Sequence, residues 1–167
     1  MLLSLLEDFK DFFCGTLGDW ATENVDLEIN PYSKPLNSRY YQVPIINKEI
    51  FRKEIKRLVE IGLLTPLHQS QYSTPVFIIP RKEGTVRFIM DYRRLNQKLV
   101  RRPYPVPRIG ETMQKLEGFQ YETSLYLSMG YYTIRLSPAI QYMATIFTEF
   151  GKFRYNRLPL VMCASGG

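Results

Sequence analysis

A short apolar segment bounded by two prolines constrains the fold more than any other feature of the sequence. Pro75–Pro80 reads Pro-Val-Phe-Ile-Ile-Pro, and Thr85–Met90 reads Thr-Val-Arg-Phe-Ile-Met. β-Branched and aromatic residues favour strands, and the intervening Arg-Lys-Glu-Gly has turn chemistry. The two segments therefore predict a β-hairpin, with Arg81 and Lys82 at its tip and Arg87 on its second strand.

One helix is clearly predicted at residues 47–62, since its apolar residues recur at helical spacing on one face. Asn47 is suited to cap its start, and Gly62 to end it. The apolar stripe consists of Ile50, Phe51, Ile55, Leu58 and Val59.

The remaining elements alternate irregularly along the chain. We expect helices at residues 1–13 and 108–117 and strands at 25–29, 121–127, 131–136 and 143–148, with a final hairpin turning at Gly151-Lys152 into residues 154–157. The proline-rich residues 101–107 are not compatible with regular structure. The connections are too short for repeated right-handed βαβ units, so the predicted fold class is α+β.

The first 13 residues are apolar enough to suggest a signal peptide, but they contain no basic n-region, and Glu7 and Asp8 interrupt the apolar run. The apolar side chains at Leu2, Leu5, Leu6, Phe9 and Phe13 instead predict an amphipathic helix that packs on another surface. No apolar stretch is long enough to span a membrane. We therefore expect an intracellular protein, in the cytoplasm or the nucleus.

The two cysteines, Cys14 and Cys163, are far apart, and His68 is the only histidine. This set does not have the spacing of a zinc site or of a disulfide framework. We expect two reduced thiols and no zinc.

Positive charge is concentrated in one segment. Residues 81–108 contain nine Lys or Arg and only two acidic residues, although the whole chain carries a net charge of +6. The basic residues are Arg81, Lys82, Arg87, Arg93, Arg94, Lys98, Arg101, Arg102 and Arg108. Such a segment among aromatic residues predicts contact with phosphates, whereas a merely solvated basic face is the alternative.

Five blocks of sequence, in order, resemble one family. Ser73–Asn96, with Ser-Thr-Pro-Val-Phe-Ile-Ile-Pro-Arg-Lys at its start and Asp-Tyr-Arg-Arg-Leu-Asn at its end, resembles the fingers of retroelement reverse transcriptases. So does Arg-Arg-Pro-Tyr-Pro-Val-Pro-Arg at 101–108. Leu-Glu-Gly-Phe at 116–119 and Met-Gly-Tyr-Tyr-Thr-Ile-Arg-Leu at 129–136 are similar to the first palm motif, and Phe-Arg-Tyr-Asn-Arg-Leu-Pro at 153–159 to the second. The chain resembles reverse transcriptases of Ty3/gypsy-type LTR retrotransposons.

The resemblance implies a right-hand polymerase fold, of which this chain would supply the fingers (40–118) and the first part of the palm (119–167) after a helix and connector (1–39). The thumb would be absent. The family copies RNA or DNA into DNA with Mg²⁺ and dNTPs. By resemblance, Arg81, Lys82 and Arg87 would hold the dNTP triphosphate, and Tyr131 would lie below the sugar. Template-primer contacts would come from Arg93, Arg94, Lys98, Arg101 and Arg102.

Some residues of these blocks have two readings. Asp91 is expected to pair with a basic neighbour, with template contact as the alternative. Tyr92 and Tyr104 are expected to pack in loops, with stacking on bases as the alternative.

Three departures from the family predict that the chain cannot polymerise DNA. The family's metal-binding Asp is Tyr126 here, and a phenol with a pKa of about 10 does not replace an anionic ligand. Val161 stands where the family has Gly. The Tyr-x-Asp-Asp hairpin that supplies two further carboxylates would lie after Gly167, where the sequence stops.

We therefore expect a reverse-transcriptase-like domain that is inactive alone. The family is enzymatic, so whether this chain counts as an enzyme is not decided by its sequence. We expect no cofactor in this chain, and Mg²⁺ only in the intact family. The alternative is a non-enzymatic module that binds nucleic acid or nucleotides through the basic fingers. A second chain could complete the palm, and an unstable remnant is a further alternative.

Overall fold

The computed structural model describes residues 2–100, 105, 107–116, 118, 120–121, 123–160 and 162. The helices are α1 (Leu2–Asp8), α2 (Ile45–Glu60), α3 (Arg93–Asn96), α4 (Ile109–Gln114) and α5 (Pro138–Met143), and two 3₁₀ turns lie at Lys10–Phe13 and Gly130–Thr133. The strands are β1 (Trp20–Val25), β2 (Leu64–Leu67), β3 (Thr74–Pro80), β4 (Val86–Met90), β5 (Ile134–Leu136), β6 (Thr145–Thr148) and β7 (Gly151–Tyr155). This mixture of helices and sheet agrees with the predicted α+β class.

Five strands form one mixed sheet in the order β2-β7-β6-β3-β4. All neighbours are antiparallel except β3 and β6, where Thr74 lies opposite Ile146. The β3–β4 and β6–β7 neighbours are local hairpins, so the pairing of β3 with β6 joins the two halves of the chain. A separate parallel pair is formed by β1 and β5.

The predicted hairpin is confirmed as β3–β4. Its register runs from Val76 opposite Met90 to Pro80 opposite Val86. The turn closes with the Arg81 N–H donating to the Thr85 carbonyl at 2.8 Å. The sequence predicts Thr85 as the first residue of the second strand, but in the structure it belongs to the turn.

Helix α2 packs on one face of the sheet. Phe51 is 1% exposed, and its ring lies 5.3 Å from Phe88 and 5.6 Å from Phe150. Burying one such side chain stabilises the fold by about 1.5–3 kcal/mol. Gly62 ends the helix as predicted, with a φ of +74° that favours glycine.

The predicted cap of α2 is wrong. The helix begins after Pro44, and the Asn47 N–H already donates to the Pro44 carbonyl at 2.9 Å. Pro44 is itself the N-cap residue, with an extended ψ of 140°, and no side chain caps the first turn.

The strand predicted at 121–127 is also wrong for the residues that the structure describes. Residues 121 and 123–127 belong to no strand, and residue 122 lies outside the described part. Leu125 and Leu127 are 83% and 76% exposed. Strand propensity alone does not form a strand, because the backbone also needs a neighbour to pair with.

The predicted strand at 131–136 begins only at Ile134, because a 3₁₀ turn precedes it. Met129 adopts φ 55°, and the Tyr132 N–H donates to its carbonyl at 2.8 Å. This turn brings the Tyr132 ring over Tyr155, with centroids 6.2 Å apart. The residue types at 131–133 favour a strand, but the segment forms a turn in which Tyr132 packs against Tyr155.

Two further boundaries differ from the prediction. Residues 138–143 form α5, started by Ser137, whose side chain accepts from the Ile140 N–H, and by a proline at the first helical position. The strand predicted at 143–148 therefore begins at Thr145. The last hairpin turns at Glu149 and Phe150, two residues before the predicted position, and β2 was not predicted at all.

The N-terminal part combines one correct and two incorrect predictions. A helix forms at Leu2–Asp8, but Leu5, Phe9 and Phe13 remain 53%, 51% and 64% exposed, so the expected packing surface is not found among the described residues. The strand predicted at 25–29 lies earlier, as β1, and Ile29 forms only a single bridge to Leu99. No described helix combines the length and the apolar character needed to cross a membrane.

Candidate nucleic-acid interface

Cations cluster at the turn and on the second strand of the β3–β4 hairpin. Arg81 and Lys82 occupy the turn, and Arg87 lies in β4 opposite Ile79. All three cations are exposed. No hydrogen bond or ion pair joins their side chains to any residue that the structure describes. Their charges are therefore available to a ligand.

The two faces of the hairpin differ in character. Phe88 faces α2, where it contacts Phe51. Because side chains alternate along a strand, Arg87 and its cross-strand partner Ile79 point to the opposite face. Phe77 and Ile89 form the next pair on that side. We call these four residues the outer face of the hairpin; its Phe77 and Ile79 are 40% and 47% exposed.

An ion pair follows β4 directly. Arg93 donates from Nε to Asp91 Oδ1 and from Nη2 to Asp91 Oδ2, each at 2.7 Å. The Tyr41 hydroxyl donates to the same carboxylate at 3.0 Å. Arg93 first and then Tyr41 hold the pKa of Asp91 at about 2. The expected pairing of Asp91 with a basic neighbour is thus confirmed, and Tyr41 joins it from the segment that precedes α2.

Two more predicted cations bond the connector. Arg94 donates to the Ser38 hydroxyl at 3.1 Å, and the Lys98 ammonium donates to the Lys34 carbonyl. Both retain exposed surface for a ligand. Arg101, Arg102 and Tyr104 lie outside the described residues.

Tyr92 is fully buried, and its hydroxyl donates to the Ala144 carbonyl at 3.1 Å. Burial raises its pKa well above the ordinary value. The expected packing role is confirmed, and Tyr92 is not placed to stack on a base.

The two palm tyrosines lie apart from the hairpin. Tyr126 is 94% exposed in the unpaired segment before the 3₁₀ turn. Tyr131 is 41% exposed and belongs to that turn, which leads into β5 and hence to the two-stranded sheet. The resemblance groups Tyr131 with the hairpin cations at one dNTP site. The structure does not test that grouping, which stays a prediction.

Tyr126, which the resemblance aligns with a metal-binding Asp, does not fit a Mg²⁺ ion. Mg²⁺ requires hard anionic oxygen ligands, whereas Tyr126 presents a phenol. Among the described residues, no group of three His, Cys, Asp or Glu side chains is arranged to hold a metal.

Sequence reasoning missed several polar contacts because they join distant segments. Ser73 is fully buried and contacts Asn37 and Ser38, 36 and 35 residues earlier. Lys48 bonds Glu149 at 2.6 Å across 101 residues. No local pattern in the sequence marks such pairs.

Comparison with known proteins adds an evolutionary relationship. No family model matches the sequence. The Retrovirus-related Pol polyprotein from transposon opus of Drosophila melanogaster is 29% identical over 166 residues, which cover 95% of this chain and 16% of that protein. Its counterpart from transposon gypsy of the same species is 27% identical over 172 residues, with coverages of 93% and 16%. The chain is homologous to the Pol polyproteins of gypsy-type retrotransposons.

The chain also matches the Transposon Tf2-3 polyprotein of Schizosaccharomyces pombe, at 25% identity over 163 residues, or 95% of this chain and 12% of that protein. The chain thus spans between 12% and 16% of the length of these relatives.

Solved structures show the same fold in part of a larger enzyme. The native prototype foamy virus protease-reverse transcriptase superposes with a TM-score of 0.85 at 20% identity, covering 98% of this chain and 22% of the viral one. The foamy viral enzyme in complex with double-stranded DNA gives a TM-score of 0.76 at 20% identity, with coverages of 98% and 33%. The fold of this chain is therefore that of part of a retroviral protease-reverse transcriptase.

Proposed function

We propose that the chain is a reverse-transcriptase domain that binds nucleic acid but does not polymerise DNA by itself. Residues 40–118 would be its fingers and 119–167 the first part of its palm, after a helix and connector at 1–39. Two findings support this proposal. The fold match covers nearly the whole chain, and the motifs follow one another in the family's order.

The single observation that carries the proposed inactivity is Tyr126. Polymerases of this kind use two metal ions about 3.5–4 Å apart to stabilise the attacking and leaving oxygens. Carboxylates hold such ions, and the position where the family supplies one is occupied by an exposed phenol.

The binding function rests on the hairpin. Guanidinium groups form charge-assisted hydrogen bonds with phosphate oxygens, and Arg81 and Arg87 are exposed cations without a described partner. Template-primer and the triphosphate of a dNTP both present phosphates. A non-enzymatic binding module is the second candidate function, and the same free cations favour it. A further chain that completes the palm would supply the later carboxylates of the family, but Tyr126 would still leave the first metal-binding position without one.

Primer extension tests the inactivity. The full chain is incubated with an RNA template, a DNA primer and dNTPs in Mg²⁺ or in Mn²⁺, beside a Tyr126→Asp variant. A reverse transcriptase from a gypsy-type relative serves as positive control. We expect product from the relative only, because the 167 residues tested contain no Tyr-x-Asp-Asp segment, and Tyr126→Asp returns a single carboxylate to a site for which the family uses three.

Product from the unmodified chain would refute the proposal. Product from Tyr126→Asp alone would mean that Tyr126 is the sole lesion and that other carboxylates complete the site. A thermal melt of each protein must first show a cooperative transition, so that absence of product is not due to an unfolded chain.

A further inference from the structure

The side of the sheet that carries the outer face of the hairpin continues across β6 and β7. Phe147 of β6 lies opposite Pro75 of β3 and opposite Lys152 of β7. Partners in register point to the same side of a sheet, and side chains alternate along each strand. Lys152 and, two residues later, Arg154 therefore lie on the same side of the sheet as Arg87.

The charge on this side of the sheet has one sign. Around β7 the residues that point there are Thr65, Leu67, Thr145, Phe147, Lys152 and Arg154. None of them is acidic, and farther across the sheet β3 adds no charge while β4 adds Arg87. The carboxylate of Asp91, just after β4, is already paired with Arg93.

Arg154 lies on this surface without a partner. Its neighbours across the strands, Thr65 and Thr145, are uncharged, and their hydroxyls bond other residues. Its Nε is buried and unpaired, and no hydrogen bond or ion pair joins its terminal nitrogens to any residue that the structure describes. Those terminal nitrogens are not buried, because the residue is only half-buried and Nε alone is enclosed. Polar groups inside proteins are nearly always paired, so this guanidinium is suited to an anionic acceptor.

Lys152 adds a second positive charge on the same strand. Its ammonium donates to the Ser70 carbonyl at 3.0 Å and lies 5.2 Å from the centre of the Phe147 ring. No carboxylate of the described residues pairs with it, so its charge is not neutralised. Positions two residues apart on a strand are separated by about 7 Å. Lys152 therefore attracts an anion toward Arg154.

We propose that Arg154 binds a backbone phosphate of the same nucleic acid that the hairpin cations contact. Its terminal nitrogens donate charge-assisted hydrogen bonds to the phosphate oxygens. This inference rests on the proposed nucleic-acid binding, and it extends the binding surface to a cation outside the basic segment at 81–108.

The distance across the sheet favours a nucleic acid over a free nucleotide as the source of the phosphate. β7 and β4 are three strand spacings apart, or about 14 Å at about 4.8 Å each. The triphosphate of one nucleotide held at the hairpin would not reach Arg154, whereas a nucleic acid repeats its phosphates along its whole length.

The test compares the salt dependence of binding in the wild-type chain and in Arg154→Gln. A labelled DNA duplex is titrated with the full chain at several salt concentrations, and fluorescence anisotropy gives the affinity. Loss of one phosphate contact should lower the slope of log K against log salt by about 0.9, and should weaken binding about fivefold to tenfold in 0.1 M salt.

Two variants serve as controls. Arg154→Lys keeps the charge and should retain most of the slope. Arg52→Gln removes the same charge from an exposed position of α2, which packs on the other side of the sheet, and it should behave as wild type.

A second measurement uses the wild-type chain alone, so that it does not depend on the folding of a variant. Phenylglyoxal modifies accessible guanidinium groups, and mass spectrometry gives the modified fraction of each arginine. Bound duplex should reduce the modification of Arg154 and leave that of Arg52 unchanged.

The inference fails if folded Arg154→Gln keeps the wild-type slope, or if the duplex does not protect Arg154 from phenylglyoxal. Either result leaves phosphate binding by the hairpin intact. Weaker binding of a labelled dNTP by Arg154→Gln, with an unchanged slope for the duplex, would assign Arg154 to a free nucleotide and would also refute the proposal. Failure of the wild-type chain to bind the duplex refutes this inference and the proposed function together.

Discussion

Arg87 in β4 and Arg93 just after it are both exposed arginines, but they differ in whether another residue already pairs with their charge. Arg93 already forms a two-point ion pair with Asp91, which neutralises much of its charge locally. Arg87 has no partner among the described residues, and it lies on the outer face beside Ile79. A phosphate that approaches Arg87 therefore displaces only water.

Arg87→Ala should weaken binding to double-stranded nucleic acid and reduce its salt dependence. Loss of one phosphate contact lowers the slope of log K against log salt by about 0.9. Anisotropy titrations at several salt concentrations measure that slope. Lys56→Ala, which removes an exposed cation from α2, is the matched control and should change the slope much less.

A slope that is the same in Arg87→Ala and in the wild-type chain would show that Arg87 contacts no phosphate. The binding site would then have to be sought among the cations near the connector.

At the scale of elements, Ser73 joins the connector to the start of β3. Its hydroxyl lies 2.6 Å from Asn37 Oδ1 and 2.8 Å from the Ser38 carbonyl, and accepts from the Ser38 N–H at 2.9 Å. It is fully buried, so no water replaces these bonds. Tyr40 and Tyr41 follow the end of the connector directly, so this hydroxyl also helps to fix where they lie.

Ser73→Ala is expected to reduce the free energy of unfolding by about 1–3 kcal/mol, because it leaves buried polar groups of the connector without their partner. Urea unfolding followed by circular dichroism measures the change. Ser124→Ala, at an exposed position, should alter stability by less than about 0.5 kcal/mol. An equal effect of the two substitutions would contradict the role given to Ser73.

The elements that could be predicted from the sequence are those stabilised by neighbours in the chain. The β3–β4 hairpin and α2 follow from local patterns and from Gly62, and the structure confirms both. The predicted strand at 121–127 fails because a strand depends on a partner elsewhere. Charge marked the basic segment at 81–108, and the resemblance singled out the hairpin cations within it. Tyr41 was missed because it meets Asp91 only through the fold, 50 residues away.

At the scale of the whole molecule, two carboxylates fix the N-terminal third to the rest. Asp19 bonds Arg135 and Arg157, which lie 116 and 138 residues later. Asp91 accepts hydrogen bonds from Tyr41, which precedes α2, and from Arg93. These contacts join segments that are not neighbours in the main sheet, so their charge state influences how the chain holds together.

Stability should therefore fall at acidic pH. Arg135, then Arg157, hold the pKa of Asp19 at about 2, and Arg93 with Tyr41 holds that of Asp91 at about 2. An unfolded aspartate has a pKa of about 3.9. Below that pH the unfolded chain takes up protons that the folded chain excludes, so the stabilisation is complete above about pH 5 and is lost between about pH 4 and 2.

Thermal melts across this range measure the effect. The double variant Asp19→Asn with Asp91→Asn should be less stable than wild type at pH 7, and the two should converge as the pH falls toward 2. Asp8→Asn removes an exposed carboxylate of α1 that is outside both ion pairs, and it should follow the wild-type pH profile. If the double variant instead loses stability between pH 4 and 2 as steeply as the wild-type chain, other carboxylates govern its acid unfolding, and these two contacts do not join the segments as the structure indicates.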